Sequence, residues 1–129
     1  MPDQPLILVV DDDPDFREIL FTKLTASGFR VETAVNGEEG VSKAKALKPN
    51  LILMDVKMPL LDGAGALLKL RENPETKDIK VIFLTSLGGS SGEMQEADKM
   101  FAQDFGAQGY VKKSDNLDVL VGRVRAALQ

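Results

Sequence analysis

The sequence contains no cysteine, no histidine and no tryptophan. Without cysteine there is no disulfide framework, no thiolate zinc site and no cysteine nucleophile. Without histidine there is no serine–histidine triad, no imidazole general base and no phosphohistidine carried by the chain itself. Any reaction must be run by carboxylates, hydroxyls, lysine or a hard cation. A basic excess is also missing. The 16 Lys and Arg against 20 Asp and Glu leave a net charge of −4, which argues against affinity built on counterion release from a nucleic acid. Long hydrophobic runs are missing too. The polar opening Met1-Pro2-Asp3-Gln4-Pro5 is unlike a signal peptide, and no apolar stretch approaches a bilayer span. The expectation is a cytoplasmic protein with no membrane contact.

What is present describes one ordinary globule. A hydrophobic fraction of 43% beside 28% charged residues suits a packed core. A chain of 129 residues buries about two-thirds of its extended surface without staples. No repeat, low-complexity tract or interdomain linker interrupts it, so residues 1–129 are expected to form one domain.

Two hydrophobic patterns alternate. Leu6–Val10, Leu51–Met54 and Val81–Leu84 are short, unbroken apolar runs, the mark of strands covered on both faces. Arg30–Val35 and Tyr110–Val111 are weaker strand candidates. Between them lie helical spacings. Phe16, Ile19, Leu20 and Leu24 follow Asp13-Pro14, a fitting N-cap and first residue, and stop at Gly28. Asn36-Gly37 opens a second helix through Val41, Ala44 and Leu47, closed before Pro49. A third runs from about Ala64 to Asn73. A fourth carries Met94, Ala97, Phe101 and Phe105 up to Gly106. A last one carries Leu117, Leu120, Val121, Val124 and Leu128. Strand then helix, five times over, predicts an α/β doubly wound parallel sheet of order 2-1-3-4-5. Ligands of such sheets sit beyond the carboxyl ends of strands 1 and 3, where the winding reverses.

That rim is chemically loaded. Strand 1 runs into Asp11, Asp12 and Asp13, strand 3 into Asp55, strand 4 into Thr85 and Ser86, and strand 5 into Lys112 and Lys113. Carboxylates on neighbouring strand ends repel each other unless a cation or proton lies between them. An all-oxygen set selects a hard cation, and Mg²⁺ suits a few carboxylates plus waters and a phosphate. Taken singly, each residue has a bland reading: a helix cap, a solvated loop acid, a surface charge. Their convergence on one rim favours a site.

These residues resemble the response-regulator receiver domain of two-component phosphorelay signalling, in its chemotaxis-regulator-like form. The resemblance is carried by Ile7-Leu8-Val9-Val10-Asp11-Asp12, by Asp55 with Met58-Pro59-Leu60-Leu61-Asp62-Gly63, by Thr85, and by Gly106-Ala107-Gln108-Gly109-Tyr110-Val111-Lys112-Lys113. It spans about Leu6 to Leu128. It implies a flavodoxin-like (βα)5 fold and a regulatory phosphoacceptor rather than an enzyme with turnover. In that comparison Asp55 is the phosphoacceptor nucleophile. Asp11, Asp12, Asp55 and the backbone carbonyl of Lys57 hold Mg²⁺. Thr85 and Lys113 bind the phosphoryl group, and Thr85 and Tyr110 form the switch. The implied partners are a sensor histidine kinase or histidine phosphotransfer protein as donor, and an output protein. No output domain is expected within this chain, which fits either a stand-alone regulator or an excised receiver.

Three features depart from the family pattern. Ser114 replaces the proline that usually follows the lysine at a normally cis bond, which costs about 2.5–4 kcal/mol without proline. Lys57 and Leu87 occupy the variable positions that tune phosphoryl lifetime. The segment from Thr85 to Tyr110 is several residues longer than usual. Its run Leu87–Gly92, rich in glycine and serine, is expected to be mobile, leading into a helix near Glu93 with Glu96, Lys99 and Gln103 outward. Two other classes compete. A Mg²⁺-dependent aspartate-nucleophile phosphatase wants a second Asp two residues on, where Lys57 stands. A receiver-like module that only binds proteins would not need all five site positions filled.

Overall fold

The described residues follow the expected alternation of strand and helix through the fourth strand and again from the fifth strand to the last helix. A computed structural model describes residues 4–58, 61–85 and 107–129. The strands are β1 (Leu6–Val10), β2 (Arg30–Ala34), β3 (Leu51–Asp55), β4 (Lys80–Thr85) and β5 (Gly109–Lys112). The helices described are α1 (Pro14–Ala26), α2 (Gly37–Leu47), α3 (Gly63–Glu72) and α4 (Leu117–Leu128). All strand pairs are parallel, in the order β2-β1-β3-β4-β5. The expected loop Leu87–Gly92 and the helix from Glu93 to Gly106 lie outside the described residues.

Successive residues of a strand point to opposite faces, and the core divides accordingly. Leu8, Val10, Ile52, Met54, Val81 and Phe83 face one side with residues of α2 and α3. Ile7, Val9, Leu51, Leu53, Ile82 and Leu84 face the other with residues of α1 and α4. The inner strands β1 and β3 are buried along their whole length, whereas edge strand β2 alternates down to a single buried residue, Ala34. That difference is why β2 has the weaker sequence signal.

The helix ends follow side-chain chemistry. Asp13 caps α1 by accepting from the N–H groups of Asp15 and Phe16. At its far end Gly28 takes φ +100°. There the Phe29 N–H reaches back to the Leu24 carbonyl at 3.1 Å, the bond of a glycine-terminated helix. Asn36 caps α2 through the Glu39 N–H, and Asp62 caps α3 through the Gly65 N–H. Two stripe residues differ from expectation. Ile19 and Leu47 are exposed, because Leu20 with Leu24, and Val41 with Ala44, already fill the contact with the sheet. Among the described residues no helix is long and apolar enough to cross a membrane.

Candidate functional site

The carboxyl ends of the strands bring the expected residues together. Asp11 is the first residue after β1, and its N–H continues the ladder to the Ala34 carbonyl at 3.1 Å. Its side chain is fully buried. Asp11 Oδ1 accepts from the Asp13 N–H at 3.0 Å, and the Asp11 carbonyl accepts from Arg17 Nη1 at 2.7 Å. The start of α1 thus fixes both the carboxylate and the backbone of Asp11. Asp12 is exposed at the same rim. Asp55 ends β3 at 5% exposure. One ligand oxygen from each of Asp11, Asp12 and Asp55 lies within 4.8 Å of the others.

Lys113, the first residue after β5, enters this acidic cluster. Its Nζ lies 2.7 Å from Asp11 Oδ2 and 3.4 Å from Asp55 Oδ2, with its side chain only 16% exposed. The Lys113–Ser114 bond is trans, since no cis peptide occurs among the described residues. The lysine reaches both acids nonetheless, from a turn closed by the Asp115 N–H on the Lys112 carbonyl at 2.9 Å. Its own N–H donates to the Thr85 carbonyl at 2.8 Å. Thr85 ends β4, 7% exposed, one residue beyond the partner of Asp55 in the β3–β4 register. Tyr110 lies in β5, half-buried, beside Phe83 and packed against the core. Lys57 sits two residues past Asp55 in an exposed loop position.

The electrostatics are those of crowded acids with the Lys113 ammonium among them. Burial, reinforced by the Asp11 charge, lifts the Asp55 carboxyl from its ordinary 3.8 to about 6, against the pull of Lys113 and with a smaller push from Asp12. For Lys113 burial draws the ammonium down. Its contact with Asp11 and the charges of Asp55 and Asp11 outweigh that, and the net direction is up. The Asp11–Lys113 approach is close but not aligned as a hydrogen bond, so among the described residues the buried Asp11 Oδ2 has no directional donor. A buried oxygen of this kind, in an all-carboxylate set, fits a hard divalent cation.

The support behind these residues was only partly evident from sequence. Asp62 and Gly63 end the Met58–Gly63 motif, and the structure supplies the reason for them. The Gly63 N–H donates to the Val56 carbonyl at 2.8 Å. A β-carbon on Gly63 would lie 2.6 Å from the Asp55 carbonyl oxygen and 2.9 Å from the Phe83 ring. Only glycine lets α3 start this close behind Asp55. The local signal for it was an Asp-Gly pair at a helix start. Phe16, expected only as a core residue of α1, also lies with its ring centroid 5.0 Å from Lys113 Nζ. No local signal marks that contact.

Residues 7–125 match the family model of the response regulator receiver domain. The DNA-binding dual master transcriptional regulator RpaA of Synechocystis sp. is 37% identical over 125 residues, 97% of this chain and 49% of that protein. Protein PilH of Pseudomonas aeruginosa is 36% identical over 122 residues, 95% of this chain and 96% of that one. The chain therefore spans about half the length of the RpaA and ycf27 relatives it matches, and nearly all of PilH. Among solved structures, the CheY-like receiver domain protein of Methanospirillum hungatei superposes with a TM-score of 0.87 at 28% identity, covering 98% of this chain and 94% of that one. Chemotaxis protein CheY4 of Vibrio cholerae gives 0.85 at 26%, covering 96% and 98%. With the family model, the flavodoxin-like sheet order and the rim of carboxylates in agreement, this chain belongs to the response regulator receiver domains, the phosphoacceptor modules of two-component systems.

Proposed function

We propose that Asp55 is the phosphoacceptor and that residues 1–129 act as a single receiver domain, switched by phosphorylation. The observation that carries this is the placement of Asp55. It is a nearly buried carboxylate at the switch point, flanked by Asp11 and Asp12 and paired with Lys113 at 3.4 Å. In the proposed step an Asp55 oxygen forms a bond to the phosphorus of a partner's phosphohistidine as the P–N bond breaks. The imidazole leaves with the electron pair and takes up a proton. Asp55 becomes an acyl phosphate, which water later hydrolyses, so the chain modifies itself rather than turning over a substrate.

Asp11, Asp12 and Asp55, with the Lys57 carbonyl, are the groups that would hold Mg²⁺. The cation would supply charge neutralisation for the transferring phosphoryl group, where positioning and electrostatics outweigh covalent help. Lys113 adds a fixed positive charge beside Asp55. Thr85, at the end of the neighbouring strand, offers a hydroxyl to the phosphoryl oxygens, and Tyr110 lies on β5 as the aromatic partner of that change. The donor would be a histidine kinase or histidine phosphotransfer protein, the readout an output protein binding in the fourth and fifth βα units, and the compartment the cytoplasm. Lys57 at the second position after Asp55 disfavours the phosphatase reading.

The test is covalent labelling. With a small-molecule phosphoryl donor and Mg²⁺, wild type should gain one base-labile, hydroxylamine-sensitive phosphoryl group by intact mass, and Asp55→Asn none. Equal labelling of both proteins refutes the assignment. Rapid turnover of phosphoester without a stable adduct would return the phosphatase.

A further inference from the structure

Among the described residues, Lys113 is approached from three sides. Two are the carboxylates of Asp11 and Asp55, at 2.7 and 3.4 Å. The third is the Phe16 ring, whose centroid lies 5.0 Å from Nζ, inside the range where an aromatic face attracts an ammonium. Phe16 is itself fixed in place. It is the third residue of α1, and its N–H donates to Asp13 Oδ1 at 3.4 Å. The Asp13 N–H in turn donates to Asp11 Oδ1 at 3.0 Å. Side chains of a helix lean toward its N-terminus, which carries the ring back over the end of β1. The contacts close a circuit: Asp11 to Asp13, Asp13 to Phe16, Phe16 to Lys113, and Lys113 back to Asp11.

We propose that Phe16 is a positioning residue for Lys113, its ring holding the ammonium at the mouth of the site beside Asp55. Packing of Phe16 against the α1 side of the core accounts for the burial of the ring but not for the charge seated near it. Lysine has a flexible four-carbon stem and a compact charge, so without the ring the ammonium is freer to swing out of the site to water. The ring attracts it from the α1 side. The role is specific to an aromatic ring at position 16, because an aliphatic side chain of equal bulk has no negative face to offer.

This inference rests on the reading of Asp55 as phosphoacceptor with Lys113 as its counter-charge, and the experiment separates the two. In metal-free protein carrying ¹³C-lysine, the Lys113 ε-methylene signal should be displaced by the ring current of Phe16. Phe16→Leu should abolish that displacement and Phe16→Tyr should keep it. Beryllofluoride with Mg²⁺, a phosphoryl mimic, should bind Phe16→Leu roughly three- to tenfold more weakly than wild type, with Phe16→Tyr restored to near wild type. Phe16→Met repeats the comparison with an unbranched side chain if the leucine variant does not fold. The inference is overturned if the Lys113 signal is unmoved in the aliphatic variants, if they bind the mimic as wild type does, or if the tyrosine variant binds as weakly as they do. Failure of wild type to bind the mimic and to be labelled at Asp55 would instead overturn the phosphoacceptor reading.

Discussion

Removing the Asp55 charge should stabilise the metal-free protein. Asp55 is 5% exposed and its carboxyl is raised from 3.8 to about 6. At about 1.4 kcal/mol per pH unit, ionising it in the folded protein costs about 3 kcal/mol that the unfolded chain does not bear. The folded value lies above the unfolded one, so protonation favours the fold. That stability is present in full below about pH 4 and is lost as pH rises through about 6. Asp55→Asn keeps the shape and discards the charge. It strands no cation, because Lys113 keeps Asp11 at 2.7 Å. In EDTA at pH 8 the variant should gain about 1–3 kcal/mol, the lower figure allowing for relaxation of the site. For a domain of this size that is an increase in Tm of about 4–10 °C. The gain should shrink as pH falls and vanish near pH 4. Parallel thermal melts of the two proteins from pH 4 to 8, followed by circular dichroism, provide the measurement. A variant less stable than wild type at pH 8, or a gain that does not change with pH, would refute the argument that the buried charge is the cause.

The same crowding predicts that Mg²⁺ stabilises wild type. A native-state ligand at tens to a hundred times its Kd contributes roughly 2–3 kcal/mol, and Asp12→Ala should lose most of the resulting Tm increase. An undiminished increase in that variant would remove Asp12 from the cation site. Thr85→Ala should still be labelled at Asp55 but show smaller amide shifts across β5 and α4 on phosphorylation, as followed by NMR; unchanged shifts would exclude Thr85 from the switch. Gly63→Ala forces a β-carbon to 2.6 Å from the Asp55 carbonyl oxygen. It should cost about 1–3 kcal/mol in urea titration and slow labelling as well, and a neutral effect on both would show that the joint behind Asp55 yields freely.

The fold was legible where one residue's environment is set by its near neighbours. The runs at Leu6–Val10 and Leu51–Met54 belong to strands buried on both faces, and such strands cannot alternate with polar residues. The caps at Asp13 and Asn36 were equally legible, since a cap acts within three residues of itself. Exposure of Ile19 and Leu47 was not legible, because which apolar residue of a helix turns outward depends on how the helix lies across the sheet. The rim of Asp11, Asp12, Asp55, Thr85 and Lys113 could be assembled because a parallel sheet delivers all its strand ends to one side. What escaped was their support. The close approach behind Gly63 and the ring beside Lys113 join residues whose proximity exists only once β3, α3, α1 and β5 are stacked. No spacing rule encodes them.

One backbone bond bears on how a signal would leave this rim. The Lys113 N–H, one residue past β5, rests on the carbonyl of Thr85, the last residue of β4, at 2.8 Å. The hydroxyl and the ammonium therefore ride on a common chassis rather than on two independent arms. A pull that shifts the end of β4 drags the root of the lysine with it, and tension on the lysine is felt at the threonine. Rearrangement at the rim would then involve both strands together, and a displacement at the end of β4 would reach β5 and the turn into α4 through the backbone itself.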